Sequence, residues 1–169
     1  MRPTGAELLG RLLDDHGRAL VLYARGWCEA PEDVVQEAFL KLARQPDVPD
    51  NPVAWLYRVV RNGAITAARA HGRRQRHERA AAEESAAWFV ASDETRLDAL
   101  EVTDSLRGLP VEQRETIVAR LWGGLSFEEI AALGGTSSST AHRRYQAGLA
   151  ALRERLGVEC PTTNARPKI

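Results

Sequence analysis

Cysteine is nearly absent: Cys28 and Cys160 are the only two in 169 residues. A pair so far apart gives neither a disulfide framework nor a zinc-binding spacing, and such usage suits a reducing compartment. Long apolar runs are missing as well. None approaches the roughly 18 residues needed to span a bilayer, so membrane insertion is not expected. Met1-Arg2-Pro3-Thr4-Gly5 opens into an amphipathic pattern rather than a signal-peptide core, which points away from secretion and toward the cytoplasm. Strand formers are scarce: 4 Ile and 12 Val stand against 26 Ala, 19 Leu and 21 Arg, a skew that predicts an all-α protein. The usual constellations of an enzyme are lacking too. His16, His71, His77 and His142 have no metal-ligand spacing with Cys or acids, there is no GxxxxGK phosphate loop, and no Ser/His/Asp arrangement stands out. No catalytic residue, metal ligand or cofactor is therefore assigned.

What is present is a core and an uneven distribution of charge. Apolar residues make up 44% of the chain, enough to bury an interior, and 23 basic residues balance 23 acidic ones. The balance conceals segregation. Between Arg58 and Arg79 there are seven arginines and one acid, Glu78, whereas between Glu83 and Asp104 there are seven acids and one base, Arg96. Arg143, Arg144, Arg153 and Arg155 form a second basic group with Glu154 inside it. A local basic stripe is what phosphate binding requires, although any one such run is also compatible with a simple solvated face.

Periodicity predicts a first helix from about Ala6 to Trp27, with Leu9, Leu12, Leu13, Leu20 and Tyr23 near helical spacing. A second starts at Pro31, suited to the first helical position, and carries Val34, Val35, Ala38, Phe39 and Leu42 on one stripe. It should stop before Gln45-Pro46. After a proline-punctuated loop, Asn51-Pro52 reads as an N-cap followed by a first-turn Pro. The third helix turns Trp55, Leu56, Val59, Val60 and Ala64 inward and runs on into the arginine stripe. Residues 78–93 read as a linker between a first domain (1–77) and a second (94–157), and residues 158–169 as a disordered tail. In the second domain a helix near Glu94–Arg107 ends at Gly108, and the next buries Ile117, Val118, Leu121 and Trp122 before Gly123-Gly124. Ser126-Phe127-Glu128-Glu129 is a capping box, which makes the Glu128-Glu129 pair structural. The short helix it opens breaks at Gly134-Gly135, and Thr136-Ser137-Ser138 opens a long last helix with Ala141, Tyr145, Gly148 or Leu149, Leu152 and Leu156 inward.

A short helix, a glycine-containing turn and a longer helix with polar residues outside match a helix-turn-helix, although a plain helical hairpin has the same outline. If Ala141, Tyr145 and Leu149 face inward, then His142, Arg143 and Gln146 face outward, where they can donate to base edges or phosphates in a major groove.

Three blocks of sequence then resemble the sigma factors of bacterial RNA polymerase, specifically the extracytoplasmic-function (ECF) type. They are Asp33-Val-Val-Gln-Glu-Ala-Phe-Leu-Lys-Leu42, Asn51-Pro-Val-Ala-Trp-Leu-Tyr-Arg-Val-Val-Arg-Asn62, and Leu109-Pro-Val-Glu-Gln-Arg-Glu115 leading through Leu125-Ser-Phe-Glu-Glu-Ile-Ala131 to the last helix. The resemblance implies that the first domain (region 2) binds core RNA polymerase and melts the promoter −10 element, and that the second (region 4) reads the −35 element. The polymerase would do the chemistry. An anti-sigma factor is a candidate third partner.

The residues agree with those roles. Asp33, Gln36, Glu37 and Lys41 lie off the apolar stripe of the second helix and form a polar face suited to docking on the polymerase; plain solvation is the alternative. Arg58, Arg61, Asn62, Arg69, Arg73 and Arg74 are offered to −10 DNA, beside the Pro46–Asn51 loop where the family captures an unstacked base. Trp55 and Tyr57 could stack on bases, although Trp55, flanked by Leu56 and Val59, reads better as core. Ser138, Ser139, His142, Arg143, Arg144 and Gln146 are the −35 candidates, with Arg144 nearer the buried edge and better placed for a phosphate. The chain departs from the family with Thr66 where an acid is common, Gly134 in the turn where a larger apolar residue is usual, and Ala141 and Ala147 for a common Val and Arg. The acidic stretch Glu83–Asp104 could cover the basic stripe in the free protein. The competing reading is a dimeric helix-turn-helix regulator that is not a polymerase subunit; a structural adaptor without DNA binding is another.

Overall fold

The computed structural model of the chain describes residues 5–77 and 104–157, with side chains of 74–77 left out. Six helices are defined in this part, with no strand among the described residues: α1 (Gly5–Ala24), α2 (Pro31–Ala43), α3 (Pro52–His77), α4 (Val111–Leu121), α5 (Phe127–Gly134) and α6 (Ser138–Arg155). Residues 104–107 are also helical. The linker at 78–93, the acids from Glu83 to Glu101, the helix expected near Glu94–Arg107 up to residue 103, and the tail from 158 lie outside the described residues.

Local chemistry sets the helix ends where the sequence puts them. Pro31 opens α2, and Asn51 caps α3, its Oδ1 accepting the Ala54 N–H at 3.0 Å. The capping box forms in both directions: Ser126 Oγ accepts from the Glu129 N–H at 3.2 Å, and Glu129 Oε2 accepts from the Ser126 N–H at 2.7 Å. Gly135 closes α5 in the left-handed conformation at φ 62°, which a side chain rarely adopts, and Ser137 caps α6 by accepting the Thr140 N–H. α1 is shorter than its periodicity suggests. It ends at Ala24, and the Gly26 and Trp27 amides turn back to Tyr23 and Ala24.

α1, α2 and α3 pack on one another around Leu20, Val35, Ala38, Leu56, Val60 and Ala64, and α4, α5 and α6 do so around Ile117, Val118, Leu125, Ile130, Ala141 and Leu152. Full burial of each large aliphatic side chain contributes about 1.5–3 kcal/mol. Two glycines mark close approaches between helices. A Cβ on Gly63 would lie 3.0 Å from Val34 Cγ1, and one on Gly148 only 2.6 Å from Ile117 Cδ1.

The two halves share one continuous core. Tyr23 and Tyr57 of the first half, both fully buried and with ring centroids 4.9 Å apart in an edge-to-face pair, lie at the join, where Tyr23 meets Glu115 and Tyr57 the Gly123 turn. Tyr57 is therefore not available to stack on a base, correcting that expectation; Trp55 is half-buried against the core, as read from its neighbours. Leu13 at 52%, Leu121 at 54% and Trp122 at 42% are exposed rather than buried. Leu121 and Trp122 share the angular sector of Ile117 and Val118, but they stand in the last turn of α4, where the chain leaves at Gly123-Gly124. Periodicity gives the side of a helix, not how far its neighbours extend.

Candidate nucleic-acid interface

On α3, Arg58, Asn62, Arg69 and Arg73 are all exposed. At about 100° per residue they fall within a stripe about 60° wide along the helix, opposite the buried Leu56, Val60 and Ala64. Such a row of guanidinium groups can follow a phosphate backbone. Arg74 has no described side chain. Arg61 lies to one side of the stripe and does not face solvent: its side chain is 17% exposed, paired with the Glu115 carboxylate and set 5.2 Å over the Trp27 ring. Thr66 is exposed, and its hydroxyl donates to the Asn62 carbonyl at 2.8 Å.

α6 presents the second polar face. Ser139, His142, Arg143 and Gln146 are exposed, while Ser138 and Arg144 are half-buried, so the reading side lies where the inward stripe predicted. Arg143 Nη2 donates to Thr140 Oγ1 at 3.3 Å, a long bond to a neutral hydroxyl that is easily exchanged for a base edge. His142 is less free, because its ring packs edge-on against Phe127 with centroids 5.0 Å apart. Phe127 also meets Tyr145 at 5.5 Å and carries the Arg120 guanidinium 4.9 Å from its centroid. Arg120, exposed and donating to the Leu125 carbonyl at 2.7 Å, puts another cation beside this face. Nothing in the sequence pattern marks Arg120, because it lies on α4, outside the helix-turn-helix.

The polar face of α2 is intact. Asp33, Gln36, Glu37 and Lys41 are exposed, with Lys41 and Glu37 paired at 3.7 Å. Asp33, Glu37 and Lys41, with Val34, Val59 and Gly63, line a groove of about 210 Å³ between α2 and α3.

Between these faces lies a buried charge cluster. Glu115, 6% exposed, accepts a hydrogen bond from Tyr23 Oη at 2.6 Å as well as pairing with Arg61. Burial, and then the negative charge of Glu115, push the Tyr23 phenol well above its ordinary value; burial alone raises Tyr57. Burial, aided by nearby Arg107, lowers Arg114. Cys28, half-buried near Glu32, Asp33 and Glu29, is raised chiefly by burial, so its thiol is not activated. No group of His, Cys, Asp and Glu among the described residues could hold a metal ion, and no described helix is long and apolar enough to cross a membrane.

Comparisons with known proteins point to one family. Residues 12–74 match the model of sigma-70 region 2, and residues 99–152 that of sigma-70 region 4. The chain is 35% identical over 133 residues to the RNA polymerase sigma factor CarQ of Myxococcus xanthus, covering 75% of this chain and 74% of that one. Its fold is similar to the sigma factor RpoE of Bartonella quintana in complex with the anti-sigma factor NepR. The TM-score is 0.73 at 28% identity, covering 91% of this chain and 99% of that one. It is also similar to CnrH in complex with the cytosolic domain of CnrY, with a TM-score of 0.57 at 26% identity and 92% and 91% coverage.

Proposed function

We propose, since this chain belongs to the sigma factors of RNA polymerase, that it is one of the extracytoplasmic-function type, carrying region 2 followed by region 4. It recruits core RNA polymerase to promoters and starts transcription, and the polymerase performs the chemistry. The observation that carries the finer reading is the pairing, within one short chain, of the α3 arginine stripe with the α5–turn–α6 unit, in the order of the two family matches. Residues 1–77 form the region 2 unit, 78–93 a linker, 94–157 the region 4 unit and 158–169 a tail. Asp33, Gln36, Glu37 and Lys41 dock on core polymerase. Arg58, Arg61, Asn62, Arg69, Arg73 and Arg74 hold −10 DNA, and Ser138, Ser139, His142, Arg143, Arg144 and Gln146 meet −35 DNA. The protein works in the cytoplasm, and the anti-sigma factor NepR bound to RpoE supports such a partner here.

Run-off transcription with purified core polymerase on genomic DNA, followed by mapping of start sites, tests this reading. Promoter-specific initiation that depends on the added chain is the expected result. No association with core, together with tight dimeric binding to a palindromic site, would return the protein to the regulator reading.

A further inference from the structure

Phe127 is the first residue of α5, and it is held from two sides. The Ser126–Glu129 box fixes the backbone around it. From α4, Arg120 donates to the Leu125 carbonyl at 2.7 Å and sets its guanidinium 4.9 Å from the Phe127 ring centroid. The ring in turn meets two side chains of α6 edge-to-face, His142 at 5.0 Å and Tyr145 at 5.5 Å between centroids. Tyr145 is half-buried on the packed side of α6, but His142 is exposed on the reading side. One turn further along that side, Gln146 Nε2 lies 3.5 Å from His142 Nε2. An amide nitrogen only donates, so this contact assigns the tautomer: His142 Nε2 accepts, and Nδ1 carries the ring proton.

We propose that Gln146 is the adenine-reading residue of α6, and that Phe127 and His142 are positioning residues that set its amide for that base. The contact with His142 uses one of the two amide hydrogens. What remains, one N–H and Oε1, is the donor–acceptor couple that adenine requires at N7 and at its N6 amino group. Guanine offers acceptors at both places, so Oε1 would be set against O6 and the base rejected. The N···N distance is long for a hydrogen bond, so the amide is not held by that bond alone. Phe127 fixes the plane of the imidazole, and the imidazole fixes where the amide nitrogen sits. A glutamine ordered beforehand also loses less rotamer freedom when it meets the base. Arg143 has no ring against it and reads independently of this chain of contacts. The inference rests on the reading of α6 as the −35 helix and names what one part of that face recognises.

Transcription by holoenzyme on a library of randomised −35 sequences tests it, with circular dichroism as the check on folding. Wild type should prefer adenine at one −35 position, and Gln146→Ala should remove that preference. Phe127→Leu keeps an apolar side chain but loses the ring. It should weaken the adenine preference about 2- to 12-fold, the factor by which an edge-to-face ring contact favours one arrangement. Phe127→Tyr keeps the ring and should retain the preference. Selection by Arg143 at its own positions should persist in every variant. With Phe127→Leu added to Gln146→Ala, the adenine position should match Gln146→Ala alone, because the two residues act through one contact. His142→Ala, at an exposed site, makes the same test should Phe127→Leu lose helicity. In the free full-length chain, long-range proton–nitrogen correlation spectra of the neutral His142 ring should show Nε2 unprotonated in wild type and Phe127→Tyr. Phe127→Leu and Gln146→Ala should move it toward a mixture of tautomers. An adenine preference that survives Gln146→Ala would overturn the reading role. Unchanged preference in Phe127→Leu and His142→Ala, equal loss at every position, or additive losses in the double variant would overturn the positioning roles. Wild-type holoenzyme that initiates nowhere on the library would count instead against the sigma-factor reading, and the ring spectra would still decide the positioning.

Discussion

Arg143→Ala is the sharpest probe of how α6 reads DNA. In the free protein the guanidinium has one neutral partner, Thr140 Oγ1 at 3.3 Å, so truncation removes little from the fold. Its neighbours on the reading side are more constrained: His142 packs on Phe127, and Gln146 Nε2 lies 3.5 Å from His142 Nε2. Arg143 is thus the side chain on this face best able to make a bidentate contact with guanine, worth about 1–3 kcal/mol of discrimination. At 1.4 kcal/mol per tenfold, that is roughly 5- to 150-fold in preference at one or two −35 positions. The assay is transcription by holoenzyme carrying wild type or the variant on a library of randomised −35 sequences. Preference should flatten at those positions while activity survives through the first domain and the −10 element. Arg144, half-buried and assigned by the proposal to a phosphate, should on replacement with Ala weaken all sequences alike. If Arg143→Ala loses activity equally on every sequence, the residue is a backbone contact and the assigned reading face is rotated.

Four further outcomes are expected. Replacing Arg69 and Arg73 with Ala should lower the salt dependence of promoter binding by about 0.9 in log–log slope for each lost duplex phosphate contact, measured by titration over a salt series. Asp33→Ala with Gln36→Ala should weaken binding to core polymerase severalfold in an equilibrium assay, with helicity by circular dichroism unchanged because both side chains are exposed. Ser126→Ala removes one arm of the α5 capping box and should cost about 0.5–2 kcal/mol in denaturant unfolding. Tyr23 and Tyr57 are both raised above the ordinary phenol value of 10.0, so the folded state favours their neutral forms. Their stabilisation is complete below about pH 10 and is lost as pH rises through their folded values, so absorbance at the tyrosinate band should show two phenols resisting ionisation until the halves separate or the chain unfolds.

The features read correctly from the sequence are those decided within a few residues. The Ser126–Glu129 box, the Asn51 cap, Pro31 at the start of α2 and the Gly135 turn each depend on side chains three or four positions apart. The outward setting of Asp33, Gln36, Glu37 and Lys41, and of His142, Arg143 and Gln146, follows from helical periodicity against an apolar stripe. The family resemblance was legible for a related reason, because its blocks are contiguous segments whose order survives without any knowledge of how they pack.

Tertiary packing decided the rest. Tyr57 could be a stacking ring by sequence alone; it is core because Tyr23 and the Gly123 turn of the other half close over it. Leu121 and Trp122 have the right angular position to be buried, but the last turn of α4 leaves them exposed. Glu115 looks like any surface acid in Val111-Glu-Gln-Arg-Glu115, and Arg61 like one more arginine of the stripe. They become a buried pair because segments far apart in sequence meet on the fold. Periodicity records which side of a helix is wet in isolation. It holds no record of which distant helix will cover that side, and that decides whether Arg61 meets water, phosphate or Glu115.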